Sequence, residues 1–142
     1  MKKHKILIAV IALILLCAVL FLTLARPAVR VVQVADGNGG AKWDVTVTAL
    51  SFRQYYASSV CSVERLENGT WKACTVNPGM ENVKTGMYLI SLNCPGKKKT
   101  VISDLGFLYD LSAPGRYRVT VSLSREESFI DPIQISREFL VR

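Results

Sequence analysis

The chain opens on an unbroken apolar run, Ile6–Ala25, and then alternates apolar with polar positions over much of its remaining length. Fourteen of the 20 residues in the run are Leu, Ile, Val or Phe, and no charge interrupts it. At about 1.5 Å per residue a helix of that length reaches roughly 30 Å, the thickness of a bilayer's hydrocarbon core. Side chains of these types contribute roughly −0.3 to −0.6 kcal/mol each to insertion, about −6 kcal/mol in sum. Lys2, Lys3 and Lys5 precede the run without an acid, which favours a cytoplasmic N-terminus; Arg26 and Arg30 beyond it weaken that asymmetry without reversing it. A cleavable signal has an apolar core of about 7–15 residues followed by a small-x-small site. Thr23-Leu24-Ala25 before Arg26-Pro27 is a poor site, and Cys17 lacks the small preceding residue of a lipidated cysteine. The pattern therefore predicts a retained transmembrane signal-anchor helix over residues 6–25, behind a cytoplasmic basic flank at 1–5. The alternative is a cleaved signal and a secreted domain. Both place the remainder outside the cytoplasm.

Residues 26–42 read as a flexible stalk, because Asp36-Gly37-Asn38-Gly39-Gly40 suits neither a helix nor a strand interior. From residue 43 the period is that of strands. Asp44–Leu50 alternates with Val45, Val47 and Ala49 on one face, and further strands are predicted at Ser59–Leu66, Trp71–Val76, Met87–Asn93, Thr100–Leu105, Arg116–Leu123 and Ile135–Val141. Turn signals separate them at Asn68-Gly69, Asn77-Pro78-Gly79, Cys94-Pro95-Gly96 and Ala113-Pro114-Gly115. About seven short strands at this spacing imply an all-β, antiparallel sandwich over residues 43–142.

Two loop lengths are open to the hairpin around Asn68-Gly69. A two-residue loop sets Arg65 opposite Lys72, a like-charge pair. A three-residue loop over Glu67-Asn68-Gly69 sets Glu64 opposite Lys72 and Arg65 opposite Trp71, with Gly69 left-handed. Opposite-charge and cation–aromatic neighbours are each favourable by a few tenths to about 1 kcal/mol. Pairing energy thus predicts the three-residue loop.

Two stretches carry the most character: Val63-Glu64-Arg65-Leu66-Glu67-Asn68-Gly69-Thr70-Trp71-Lys72 and Leu108-Tyr109-Asp110-Leu111-Ser112-Ala113-Pro114-Gly115-Arg116-Tyr117-Arg118-Val119. Together they resemble the bacterial immunoglobulin-like domains of secreted and membrane-anchored proteins of Gram-positive bacteria. Cys94-Pro95-Gly96-Lys97 is similar to the family's Pro-Gly turn, and Ser136-Arg137-Glu138-Phe139 to its closing strand. The likeness covers residues 43–142 and departs at Asp110, where Gly is usual, and in its three cysteines. It implies an immunoglobulin-like fold and says little of function, since its motifs are turn and core signatures. The residues agree: Pro114-Gly115 turns into a strand, and Tyr117 is placed to bury its ring while its hydroxyl bonds nearby backbone, as in a tyrosine corner. Gly69, Trp71, Pro114, Gly115 and Tyr117 are accordingly read as structural.

Charge and chemistry narrow the function. The formal charge is +7, and setting aside the three N-terminal lysines leaves +4, because all 11 acids lie downstream. That suits solubility and equally an anionic surface. Lys97-Lys98-Lys99 follows a turn, where it either blunts a strand edge or touches anionic polymer or lipid headgroups. Cys61, Cys74 and Cys94 face an oxidising exterior, so one bridge with one spare thiol is expected. Any pairing is open if the three gather at one end of the sandwich. The three-residue hairpin would set Cys61 and Cys74 on opposite faces, which favours Cys74–Cys94 and leaves a thiol able to join two copies. The only histidine is His4, on the cytoplasmic flank, so no Ser-His-Asp or Cys-His arrangement can form in the exterior part. Asp104, Asp110, Glu126, Glu127 and Asp131 read as turn or surface charges, and no metal or cofactor motif is present. The expectation is a non-enzymatic, membrane-anchored binding or structural module of the cell envelope, without cofactor. Its partners would be the membrane, through residues 6–25, and an envelope protein or anionic polymer.

Overall fold

The computed structural model describes residues 2–37, 41–80, 90–92 and 94–142. An N-terminal helix α1 (Lys2–Leu24) leads to β1 (Ala28–Ala35), β2 (Ala41–Thr48), β3 (Tyr55–Glu67), β4 (Thr70–Ala73), β5 (Ile90–Leu92) and β6 (Lys98–Ile102); a short helix α2 (Leu105–Leu108) precedes β7 (Gly115–Ser124) and β8 (Ile133–Val141). The strands form two sheets. One runs β1-β2-β6; the other runs β4-β3-β7-β8, with β5 pairing the start of β3. Every pairing is antiparallel. The expected β-sandwich architecture is present.

Alternation builds the core. On β7, Tyr117, Val119, Val121 and Leu123 point inward and are fully buried, while Arg118, Thr120 and Ser122 stay half-buried outside. Val29, Val45, Val47, Val63 and Leu105 join the same cluster. A bulge on β3 between Ala57 and Cys61 lets four steps of that strand match two of β7, since Ala57 faces Leu123 and Cys61 faces Val121. The two extra residues keep both Ala57 and Cys61 facing the core.

Four expectations change. First, the stretch read as a stalk contains β1, which pairs with β2 from Ala28↔Thr48 to Ala35↔Ala41. Val29 is buried and Val31 packs on the core, so the alternation already visible there is used for pairing. Asp36–Gly40, read as flexible, lies between two hairpin strands, and its residues 38–40 fall outside the described ones. The strand expected at Met87–Asn93 is described only as β5.

Second, the Asn68-Gly69 loop has two residues. Glu67 faces Thr70, Leu66 faces Trp71 and Arg65 faces Lys72. Asn68 (φ 49°) and Gly69 (φ 79°) are both left-handed, the primed turn whose twist matches the strands it joins. The like-charge pair is relieved by Glu67, whose carboxylate lies 3.0 Å from Lys72 Nζ and 3.6 Å from Arg65 Nη1.

Third, Cys17, Cys61, Cys74 and Cys94 are all free thiols. Cys94 sits in the β5–β6 turn, next to Ala49 through the Gly96 N–H that donates to Ala49 O (2.9 Å). Cys74 lies beside Val63, whose carbonyl accepts its N–H (2.8 Å), toward the other end of β3. The expected Cys74–Cys94 bridge would have to span the sandwich. The expected gathering of three cysteines failed because β3 begins at Tyr55, which leaves Cys61 in mid-strand.

Fourth, the expected transmembrane segment is helical from Lys2 to Leu24, but among the described residues no helix is long and apolar enough to cross a membrane. The described side chains of α1 from Ile6 to Phe21 are apolar. All of them are exposed.

Candidate functional site

The β3–β4 hairpin and the segment before β7 enclose an open cleft of about 200 Å³ at the end of the sandwich remote from α1. Arg65, Glu67, Lys72, Cys74, Asp110 and Tyr117 line it. Alternation with Cys61 and Val63 puts Arg65 on the inward row of β3, opposite Tyr117, where it leans over the Tyr117 ring (5.9 Å to the centroid). Its Nη2 donates to Pro114 O (3.1 Å). Gly115 makes room for this: a Cβ there would stand 3.2 Å from Arg65 Nε. Pro114 and Gly115 therefore act together on Arg65, beyond the turn that the sequence suggested.

Tyr117 is fully buried, and its hydroxyl donates to Ala113 O at 2.7 Å, the bond of a tyrosine corner. Burial pushes its pKa upward. Asp110 accepts the Ser112 N–H (3.0 Å), and its hydrogen bonds with Ser112 hold its carboxyl below the usual carboxylate range. Glu67 is lowered too, chiefly by its hydrogen bond from Lys72. The carboxylates of the cleft thus have local partners and brace it as a frame, whereas Arg65 Nε is buried without a hydrogen bond.

Behind this frame, segment 75–77 pairs with 108–110 through the Asp110 N–H to Thr75 O and the Asn77 N–H to Leu108 O. Tyr109 donates its hydroxyl to Cys61 O at 2.7 Å. Burial pushes Tyr109 to about 12, and the neighbouring Cys61 and Cys74 add to the shift. Burial likewise pushes Cys61 to about 12 and raises Cys74. Thiols shifted upward are protonated near neutral pH and are poor nucleophiles.

The other residues singled out in the sequence are dispersed. Trp71 lies outside on β4 under Arg118, and Gly69 forms the hairpin tip. Cys94 is exposed at the opposite end. Asp104 caps α2 by accepting the Gly106 N–H (3.2 Å). Among the described residues, no group of three or more His, Cys, Asp or Glu could hold a metal ion. The roles of Arg65 and Arg118 were missed in the sequence; Arg65 occupies an inward position of an alternating strand, and that was the available signal. No protein-family model matches the chain, and no curated protein is significantly similar to it.

Proposed function

We propose that the protein is a membrane-anchored module of the cell envelope, with one immunoglobulin-like sandwich outside the cytoplasm that serves binding or structure without catalysis. The observation that carries this reading is α1: every described side chain from Ile6 to Phe21 is exposed, and nearly all are apolar. An apolar surface of that extent calls for a nonaqueous neighbour, and the full run in the sequence, Ile6–Ala25, has the length of a bilayer core. Lys2, Lys3 and Lys5 support a cytoplasmic start. Strand order supports the fold type: β1-β2-β6 against β4-β3-β7-β8 corresponds to A-B-E against C′-C-F-G of immunoglobulin-like sandwiches. The lack of histidine downstream of His4 and the protonated inner thiols support a non-catalytic role.

Cys94 supplies the test. In a Cys17→Ser chain, a membrane-impermeant maleimide applied to intact cells should label Cys94, and the protein should stay with membranes through an alkaline carbonate wash. Unlabelled Cys94 on intact cells, with labelling after lysis, would overturn the exterior placement. A mature chain beginning near Arg26 in the medium would replace the anchor with a secreted module acting as an adhesin or inhibitor.

A further inference from the structure

The chain outside α1 has two unlike ends, and the topology decides which one meets the membrane. Ala28 faces Thr48 and Thr48 faces Lys98, so the start of β1, the end of β2 and the start of β6 lie together. Tyr56 faces Ser124, and the Ala49 N–H donates to Lys97 O (2.8 Å), which brings loops 49–54, 94–97 and 125–132 to the same end. The Ala25 N–H still bonds to Phe21 O, so only Arg26 and Pro27 separate helix from strand, and Pro27 is buried. Three backbone steps reach at most about 11 Å. No stalk intervenes.

This end carries two large apolar side chains in open solvent, Phe52 at 63% exposure and Ile130 at 64%. Ile130 stands between Phe129 (φ 57°) and Asp131 (φ 50°). Left-handed backbone is strained for residues with a side chain, for an aromatic above all, and here it flanks the exposed apolar residue of the β7–β8 loop. Arg30, Arg53, Lys97, Lys98 and Lys99 gather at the same end as Phe52. Arg30 and Lys98 face each other across a shallow groove of about 260 Å³ floored by Thr48 and Leu50. Among the described residues of this end, acids appear only in the β7–β8 loop, where Glu126, Glu127 and Asp131 outweigh Arg125. The remote end is closer to balance. Asp36, Glu67, Asp104 and Asp110 there are offset by Arg65, Lys72, Arg116 and Arg142, and Lys42, Lys72 and Arg116 are paired with Asp44, Glu67 and Glu138.

We propose that the α1-proximal end of the sandwich docks on the surface of an anionic bilayer, with Phe52 and Ile130 entering the headgroup layer and Arg30, Arg53 and Lys97, Lys98 and Lys99 contacting lipid phosphates. The inference rests on the anchor reading of α1. A tether of about 11 Å holds these charges close to one Debye length, roughly 8 Å, from the surface, where basic clusters are attracted to anionic leaflets. Apolar tips beside basic residues are the composition of an interfacial contact; a soluble anionic polymer would leave Phe52 and Ile130 uncovered.

The test uses the full chain in vesicles of brominated phosphatidylcholine, with or without phosphatidylglycerol, and reads tryptophan quenching in excess of the parent chain. Four variants are compared: Phe52→Trp, Ile130→Trp, Phe107→Trp on the remote end (57% exposed), and Leu13→Trp within α1. With phosphatidylglycerol present, residues 52 and 130 should be quenched at least twofold more than residue 107, and replacing Lys97, Lys98 and Lys99 by Gln should remove most of that excess. Quenching at 13 without excess at 52 or 130 overturns docking and leaves the anchor standing. No quenching at 13 overturns the anchor; excess at 52 and 130 would then still support docking, and its absence would end both. Equal quenching with and without phosphatidylglycerol overturns the role of anionic lipid. An emission change at 52 on adding soluble polyphosphate but not vesicles assigns this end to polymer and overturns the proposal.

Discussion

The guanidinium of Arg118 lies 4.5 Å above the Trp71 ring while its Nε and Nη2 both donate to Glu64 Oε2, at 2.8 and 2.6 Å. Three strands, β3, β4 and β7, are thereby clasped on the outer face of one sheet. The three side chains are half-buried rather than sealed, so the clasp should contribute modestly. Removing Arg118 as Arg118→Ala should cost about 1–2 kcal/mol, combining a cation–aromatic contact with a partly exposed ion pair. A double-mutant cycle of Arg118→Ala with Trp71→Ala in urea unfolding should give a coupling of about 0.5–1 kcal/mol. Additive effects would show that the stacking is incidental.

Tyr117→Phe removes only the hydroxyl that bonds Ala113 O. The expected cost is about 1 kcal/mol, the net worth of one hydrogen bond plus the unmet carbonyl. Tyr117→Ala should cost about 3–5 kcal/mol, since it also empties a fully buried ring site. Thermal unfolding of the two variants side by side distinguishes the corner bond from the packing.

Gly69 and Gly115 should respond differently to alanine. At Gly69 the backbone is left-handed (φ 79°) with open space around it, so Gly69→Ala should cost about 1–2 kcal/mol through strain alone. At Gly115 the new Cβ meets the side chain of Arg65 at 3.2 Å, and a flexible arginine can shift, so the expected loss is under about 1 kcal/mol. Urea midpoints should rank Gly69→Ala below Gly115→Ala.

Alkaline pH should weaken the fold through Cys61. Its folded pKa is raised by burial from 9.0 to about 12, so the unfolded chain releases that proton first. The contribution is fully present below about pH 9 and declines as pH rises toward 12, at about 1.4 kcal/mol per pH unit for this group. Tyr109, raised from 10.0 to about 12, adds to the decline above about pH 10 in the same sense. Cys61→Val should therefore show a flatter urea midpoint between about pH 8 and 10. An unchanged slope would mean that Cys61 is not the group responsible.

The individual strands of the sandwich were largely legible because strand periodicity and turn chemistry are local. Tyr117 to Leu123 alternate as written, and Asn68-Gly69 marks a turn without reference to any other strand. The hairpin register shows where such reading stops. Judged from two strands alone, Arg65 opposite Lys72 is unfavourable; Glu67 at the strand end and Arg118 on β7 change the balance by taking up those charges and the Trp71 face. β1 was missed for a related reason: Val29 and Val31 alternate, but their pairing partner lies beyond a glycine-rich stretch that by itself suggests a linker.

By itself the sequence determined the apolar N-terminal run, the positions of most turns, the inward row of β7 and the absence of histidine from everything downstream of residue 4. Only the tertiary structure decided the loop length at Asn68-Gly69, and with it that Lys72 stands opposite Arg65 and Cys74 beside Val63. It also decided that β1 begins directly after the helix, which sets a basic, apolar-tipped end next to α1. The division is physical. Period and backbone conformation are properties of neighbouring residues, whereas pairing register is settled by the sum of contacts from several strands, where one shifted residue turns every side chain to the other face.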